Sequence, residues 1–346
     1  MRVLLIKLKH IGDSLLLTPT AVALRACHPQ AVIWVVVRKG CEGILAGCPA
    51  IDRVLTSAAP EVEHRSPFNW LNDVALLREI RAQHFDYAFE LSDNNRGRWL
   101  AWLSGAKTNC TDAGLRPVSW WWRSRFDHVS NSDWQDMHRV EKDFQTVNQV
   151  LPLGDTVPPL CFERERTHQW DEPRLRPPFV VFHPGTRWVR KRWPIANWID
   201  TGWQLSELGF QVVISAGPDE EEVKAAEQIQ EAIGRETLST AGQLSWTQLA
   251  GLLYRASLFL GVDTAAMHLA AACQTPTVAL FGPSLESYWF PWKVRHRLIR
   301  PRDFLSAEEL ATITPAELLN HLLVSRVVAA CTELLHNPGP VQDAGR

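Results

Sequence analysis

Short, unbroken apolar runs recur along the chain, each followed by a polar loop and then by a stretch of helical period. Val3-Leu4-Leu5-Ile6 opens the series and closes at Lys7-Leu8-Lys9; His10-Ile11-Gly12-Asp13 follows as a loop, and a helix is predicted from about Ser14 to Cys27. A second run covers Val32 to Val37. Strands are expected again at Arg53–Leu55 and Asp86–Leu91, with helical stretches near Gly40–Ala46 and Leu71–Arg81. Runs this uniformly apolar suit parallel strands covered on both faces. Their alternation with helices predicts an α/β fold built on a doubly wound parallel sheet.

The pattern then repeats. A helix is expected to end over Asp143–Val150, and a proline-rich stretch runs from Pro152 to Pro178. A second alternating series begins at Phe179-Val180-Val181-Phe182. Further strands are predicted near Gln211–Ser215, Leu258–Gly261 and Thr277–Phe281, with helices near Ile195–Leu208, Asp219–Ile233, Trp246–Tyr254, Thr264–Cys273 and Pro315–Leu335. The expected organisation is an N-terminal Rossmann-like domain over 1–160, a linker over 161–178, a C-terminal Rossmann-like domain over 179–336 whose late helix packs back on the first, and a frayed Pro/Gly/Asp-rich tail over 337–346. Two such domains would face each other across a cleft, with ligands at the carboxyl ends of their strands.

Composition narrows the class. A chain of 346 residues, 46% hydrophobic and 21% charged, has enough apolar sequence for two packed cores and is not disordered. A net charge of −2 gives no general field for nucleic acid. No stretch approaches the ~20 apolar residues of a membrane span, and the N-terminus lacks the long apolar region of a secretory signal, so a cytoplasmic location is expected. The seven cysteines, Cys27, Cys41, Cys48, Cys110, Cys161, Cys273 and Cys331, include no Cys-x-x-Cys and read as reduced structural thiols. Metal-ligand spacing is absent, so no metal and no cofactor are expected. The sixteen tryptophans read mostly as packing, with some able to stack on sugar faces.

Candidate chemistry falls in the loops that follow strands. In Lys9-His10-Ile11-Gly12-Asp13-Ser14, Gly12 permits a tight turn or close ligand approach. Asp13 is either a helix N-cap or a carboxylate at the cleft mouth, kept ionised by the helix dipole and able to take a hydroxyl proton. His183-Pro184-Gly185-Thr186-Arg187 leads into Arg190-Lys191-Arg192-Trp193-Pro194. Four cations within six residues suit a diphosphate or form a solvated basic loop. Gly261-Val262-Asp263-Thr264-Ala265-Ala266-Met267-His268 joins a strand to a helix start, where free N–H groups bind anions, and places His268 one turn in. Ala216-Gly217-Pro218-Asp219-Glu220-Glu221-Glu222 offers a carboxylate for ribose hydroxyls or an ordinary acidic first turn. Phe281-Gly282-Pro283-Ser284 is a weaker candidate for a base or sugar pocket.

Together these motifs resemble the bacterial lipopolysaccharide heptosyltransferases, glycosyltransferase family 9. The resemblance runs from Arg2 to about Pro301. It rests on Lys9-His10-Ile11-Gly12-Asp13 with Thr18-Pro19, His183-Pro184-Gly185-Thr186, Lys191-Arg192-Trp193-Pro194, Gly261-Val262-Asp263-Thr264 with His268, and Phe281-Gly282-Pro283-Ser284. It implies a GT-B fold and metal-free, inverting transfer of heptose from ADP-L-glycero-β-D-manno-heptose to the inner core of lipopolysaccharide. Asp13 would be the general base. Thr186, Arg187 and Lys191 would meet the donor diphosphate, with Lys191 also offsetting charge on departing ADP. Glu220 would hold the adenosine ribose, and Asp263, Thr264, Ala265 and His268 would form the donor-binding turn. Many members carry glycine where this chain has Ala265. The His-Ile-Gly-Asp wording is similar to the branch that adds a side-branch heptose, heptosyltransferase III.

On the acceptor side, Lys9, His10, Gly12, Arg96, Arg98 and Arg123 are candidates, with the aromatics and cations of Trp120–Arg125 suited to a phosphorylated sugar. The expected partners are a nucleotide-sugar donor and a lipopolysaccharide inner-core acceptor, with no nucleic acid and with peripheral contact at the inner leaflet. Three alternatives stay open: a family 9 transferase with another sugar donor or with a glycan or protein acceptor, an epimerase-type enzyme, and a non-catalytic nucleotide-sugar binding protein. A nicotinamide oxidoreductase is disfavoured because no strand-linked GxGxxG occurs.

Overall fold

The computed structural model describes residues 1–58, 69–114, 117–130 and 135–336. They divide into two compact units, Met1–Glu163 and Arg164–Arg346. The expected tail over 337–346 lies outside the described residues.

The first unit carries strands β1 (Arg2–Lys7), β2 (Val32–Arg38), β3 (Arg53–Ser57), β4 (Tyr87–Glu90), β5 (Thr108–Asp112) and β6 (His128–Ser130). Its helices are α1 (Ile11–Leu15), α2 (Thr18–Cys27), α3 (Asn69–Ala82), α4 (Asn95–Leu103), α5 (Trp120–Arg123) and α6 (Arg139–Asn148). The second unit carries β7 (Phe179–His183), β8 (Gln211–Ile214), β9 (Leu238–Ser239), β10 (Leu258–Val262), β11 (Thr277–Leu280) and β12 (His296–Ile299). Its helices are α7 (Ile195–Glu207), α8 (Glu220–Ile233), α9 (Trp246–Leu253), α10 (Ala265–Ala272), α11 (Glu286–Trp289), α12 (Ala307–Thr312) and α13 (Val324–His336).

Every strand pairing among the described residues is parallel. The first sheet runs β3-β2-β1-β4-β5-β6 and the second β12-β11-β10-β7-β8-β9. Numbered from its own first strand, the second sheet has the order of the first, so the chain contains two copies of one doubly wound topology. In each, the direction of winding reverses between the first and fourth strands: β1 and β4 in one unit, β7 and β10 in the other. Loops at such a switch point diverge at the carboxyl ends of the strands and leave room for a ligand. The apolar runs that announced the strands are buried throughout, as in Val3–Ile6 and Phe179–Phe182.

The predicted helix over Ser14–Cys27 is two helices. α1 starts earlier, at Ile11, because His10 and Asp13 form a capping box. The chain breaks before α2 because Pro19 has no N–H for the Leu15 carbonyl. The Thr18 hydroxyl donates to that carbonyl instead, at 2.8 Å. Gly12 lies inside α1 and is not among the glycines with positive φ. The helix expected near Gly40–Ala46 is a single 3-10 turn, Gly43–Leu45.

The expected linker, 161–178, divides between the units. Phe162 seats so closely on Gly47 that a Cβ there would come within 2.2 Å of its ring, and the Glu163 N–H donates to the Gly47 carbonyl at 2.8 Å. His168 reaches the second unit, donating its N–H to the Thr247 carbonyl at 3.1 Å. The late helix is interrupted at Leu322, whose carbonyl accepts the Trp193 indole N–H at 3.2 Å. Its continuation, α13, buries Val327, Ala330, Cys331 and Leu334 in the core of its own unit. Cys41, Cys48, Cys110, Cys273 and Cys331 are buried thiols.

Candidate functional site

At the switch point of the first sheet, the loop after β1 is tied to the loop after β4. The Leu8 N–H donates to Ser92 Oγ at 2.6 Å, and Asn94 Nδ2 donates to the Leu8 carbonyl at 3.2 Å. Asp93, with φ +51°, turns the second loop into α4, which Asn94 caps. From the first loop rise Lys9, His10, Gly12 and Asp13; His10 is exposed and the others are part-buried. One Asp13 carboxylate oxygen, Oδ2, accepts the His10 N–H at 3.1 Å. The cap and the candidate base are therefore the same group.

Beneath this loop lies a buried ionic layer that the sequence reading did not find. Lys7, the last residue of β1, donates to both Asp143 oxygens at 2.6 and 2.8 Å and to the Leu91 carbonyl at 3.0 Å. Lys142 pairs with Asp112 at 2.9 Å and lies 3.9 Å from Asp143. Glu90 accepts from the Ser92 N–H and the Thr111 hydroxyl. Burial lowers the Lys7 ammonium and raises the Asp143 carboxyl, each against the attraction of its partner, and Asp13 adds to the charges that favour Lys7 as a cation. Burial also raises Glu90. For Lys142 the carboxylates of Asp112 and Asp143 outweigh burial and raise it. The one signal in the sequence was a lysine closing an apolar run. Its partner is 136 residues away.

Removing one member of a buried pair leaves the other charged and dry. Asp143→Ala should therefore lower the stability of the first unit by about 3–5 kcal/mol, read as an earlier urea midpoint. An unchanged midpoint would show that Lys7 does not depend on this partner.

The acceptor-side arginines differ in their commitments. Arg96 makes a two-pronged contact with Asp73 at 2.7 and 2.8 Å and also donates to the Ala58 carbonyl. Arg98 is buried and paired with Asp93 at 2.8 Å. It lines a pocket of about 510 Å³ with Asp93, Asn95, Ser119 and Trp122. Arg123, on α5, is exposed.

The second switch point gathers most of the predicted donor residues. His183 ends β7 and is buried. Its Nδ1 lies 2.9 Å from Ser215 Oγ, whose own proton is directed to the Phe182 carbonyl at 3.0 Å. The ring therefore donates from Nδ1. Burial pushes its pKa down to about 4, so it is neutral at physiological pH and supplies no charge. Thr186 is buried in the following loop, and its hydroxyl accepts the Trp188 N–H at 3.3 Å. A 3-10 turn, Val189–Lys191, then carries Lys191 to Asp263 at the end of β10. The ammonium meets Asp263 Oδ2 at 2.5 Å and its carbonyl at 3.4 Å, with both side chains largely shielded. This contact joins the two loops of the switch point.

Beside it, α10 begins with Thr264 as N-cap and Ala265 as first helical residue, and the cap makes no side-chain hydrogen bond. The buried Thr264 hydroxyl has no hydrogen-bond partner. His268 is buried one turn in, its N–H directed at the Thr264 carbonyl. Free N–H groups, an unsatisfied hydroxyl and an ammonium around one turn form a site for an anion. The other loop cations are placed differently. Arg187 and Arg190 flank Trp188, 5.1 and 5.3 Å from the ring centroid, and Arg192 pairs with Glu221.

The acidic run before α8 is sorted by the fold. Asp219 is the N-cap, and Glu220 points to solvent beside Lys224. Glu222 is the carboxylate that lies against Gly185 and Gly217, accepting the Gly217 N–H at 3.0 Å. Burial raises its pKa. A Cβ at Gly185 would displace this carboxylate from its seat on the loop. Glu220, the sequence candidate for the ribose, and Glu222, the group that faces the His183–Thr186 loop, are therefore two residues apart on the first turn of α8.

Comparisons with known proteins bear on the family and the fold. A sequence model described as glycosyltransferase family 9 (heptosyltransferase) matches residues 74–314. Among curated relatives, lipopolysaccharide heptosyltransferase 3 of Escherichia coli is 28% identical over 291 residues, covering 81% of this chain and 83% of its own. Lipopolysaccharide heptosyltransferase 1 of Pseudomonas aeruginosa is 30% identical over 296 residues, covering 82% and 79%. Among solved structures, a family 9 glycosyltransferase from Veillonella parvula superposes with a TM-score of 0.79 at 20% identity, covering 96% of this chain and 97% of its own. Escherichia coli heptosyltransferase WaaC, solved with ADP, gives 0.78 at 18% identity, covering 96% and 100%. These likenesses show the GT-B fold.

Proposed function

The chain belongs to glycosyltransferase family 9, the heptosyltransferase family, and on that premise we propose that it transfers L-glycero-D-manno-heptose from ADP-heptose to the inner core of lipopolysaccharide, as a heptosyltransferase III. The observation that carries the donor half is the Lys191–Asp263 pair beside the open N-terminus of α10. The name of the Escherichia coli heptosyltransferase 3 relative supports the acceptor class.

In this reading the second unit holds the donor. The diphosphate takes the α10 N–H groups, the Thr264 and Thr186 hydroxyls and the Lys191 ammonium. Asp263 is then released toward the heptose, with Ala265 and His268 completing the turn. Glu222, with Glu220 nearby on the same helix turn, receives the ribose hydroxyls. The first unit activates the acceptor. Asp13 takes the proton of a sugar hydroxyl as that oxygen attacks the anomeric carbon. The bond to the diphosphate breaks with inversion, and charge gathers on departing ADP. Lys191 and the α10 dipole are fixed where that charge develops, with no metal ion assigned to the step.

Calorimetric titration without added metal tests the donor assignment. ADP should bind, and GDP and UDP should bind at least about tenfold more weakly, the cost of ~1.4 kcal/mol of mispaired base. A preference for UDP or GDP would keep the fold and overturn the donor.

A further inference from the structure

The first unit carries an aromatic surface to which the transfer steps proposed above assign no role. Trp99 and Trp102 on α4 and Trp121 and Trp122 on α5 form one cluster, with ring centroids 4.7–6.0 Å apart. Only Trp122 is buried, its indole N–H held by Asn95 Oδ1 at 3.0 Å. Trp99 is 42% exposed and Trp121 36%, and the neighbouring Trp120 is 80% exposed. Folding has left these rings in water although they are the largest apolar side chains available. Isolated apolar side chains on a surface are ordinary, but a contiguous patch marks an interaction.

Two arginines accompany the rings. The Arg125 guanidinium lies 4.1 Å from the Trp121 centroid and 5.5 Å from that of Trp102. Arg123 is exposed on the same short helix, and Arg125, part-buried, is held against the rings by donating to the Trp121 carbonyl at 3.2 Å and to Ser124 Oγ at 2.7 Å. Indoles with a wet edge and cations at the same level fit the headgroup region of a bilayer, where tryptophan sits and arginine meets phosphate. The net charge of −2 supplies no general attraction to an anionic surface, so the attraction must be local. No helix among the described residues is long and apolar enough to cross a membrane. Trp122 belongs both to this cluster and to the pocket lined by Arg98, Asp93 and Ser119, so the patch is continuous with a polar pocket able to receive a headgroup-proximal sugar.

We propose that the Trp99/Trp102/Trp120/Trp121 face, with Arg123 and Arg125, docks the first unit onto an anionic phospholipid bilayer. The inference rests on the heptosyltransferase reading only for the membrane glycolipid that the docked enzyme would meet. Binding itself needs neither donor nor acceptor.

The test is co-sedimentation of the full chain with phosphatidylcholine vesicles, with and without phosphatidylglycerol, alongside its tryptophan emission. The protein should sediment with the anionic vesicles, its emission shifting to the blue, and should be released by salt. Arg123→Glu should weaken partition by roughly tenfold or more, since each surface cation contributes about fivefold. Trp120→Ser should weaken it and reduce the blue shift. Unaltered ADP affinity and thermal unfolding would show that both variants fold, and ADP binding reports separately on the donor assignment. Several results would overturn the proposal. These are wild type left in the supernatant with both vesicles, variants that sediment like wild type, a self-association abolished by Trp120→Ser without vesicle binding, and emission changes produced by a free phosphorylated core oligosaccharide alone.

Discussion

Asp13→Ala should lower kcat by about 100- to 10,000-fold, the usual contribution of a positioned general base, while ADP affinity is retained. The substitution also removes the acceptor for the His10 N–H, a cap worth ~1 kcal/mol, too little to unfold the unit. Asp13→Asn separates the two roles. The amide oxygen keeps the capping bond but takes no proton at neutral pH. If Asp13 is the base, Asn and Ala should fall together. If it is only the cap, Asn should turn over like wild type. Single-turnover transfer with saturating donor is the appropriate measurement, because it isolates the bond-making step.

The second large effect is expected at Lys191. Lys191→Ala removes the ammonium facing the diphosphate and leaves the Asp263 carboxylate, otherwise 2.5 Å from a cation, uncompensated beside an anion. Donor affinity should drop about tenfold to a hundredfold, as for a lost charged hydrogen bond. Turnover should drop a further ~100- to 1,000-fold, because charge on the leaving group grows in the transition state. Loss in kcat as well as in affinity distinguishes this from Asp13, where affinity is kept. A loss confined to affinity would reduce Lys191 to a binding residue. Asp263→Asn in the Lys191→Ala background should restore part of the affinity, since the repulsion is removed with the pair.

How much was legible depended on whether a residue's partner was local. The strands at Val3–Ile6, Val32–Val37 and Phe179–Phe182 were plain because a parallel strand covered on both faces must be apolar. β5, Thr-Asn-Cys-Thr-Asp, was invisible for the opposite reason. Thr111 and Asp112 are buried, but Glu90 accepts the Thr111 hydroxyl and Lys142 offsets the Asp112 charge, and nothing local in the sequence announces that. The split of the first helix was readable in principle from Pro19 and from the His10–Asp13 spacing. The candidate loops were legible because an open α/β topology puts ligands after strands. Which carboxylate faces the loop was not: Glu220, Glu221 and Glu222 are equivalent in composition, and only the turn of α8 after its Asp219 cap selects Glu222. The Lys191–Asp263 pair joins loops 72 residues apart and needed the sheet order to bring them together. The Lys7 layer needed the same.

The most direct measurement of the central claim is transfer itself. The purified chain is incubated with ADP-heptose and lipopolysaccharide cores carrying none, one or two heptoses, and the products are read by mass spectrometry with ADP release in parallel. The account predicts that the core already carrying two heptoses gains one more, with one ADP released per transfer. Transfer from a UDP- or GDP-sugar instead, isomerisation of the donor in the absence of acceptor, or ADP-heptose binding with no transfer to any core would contradict it.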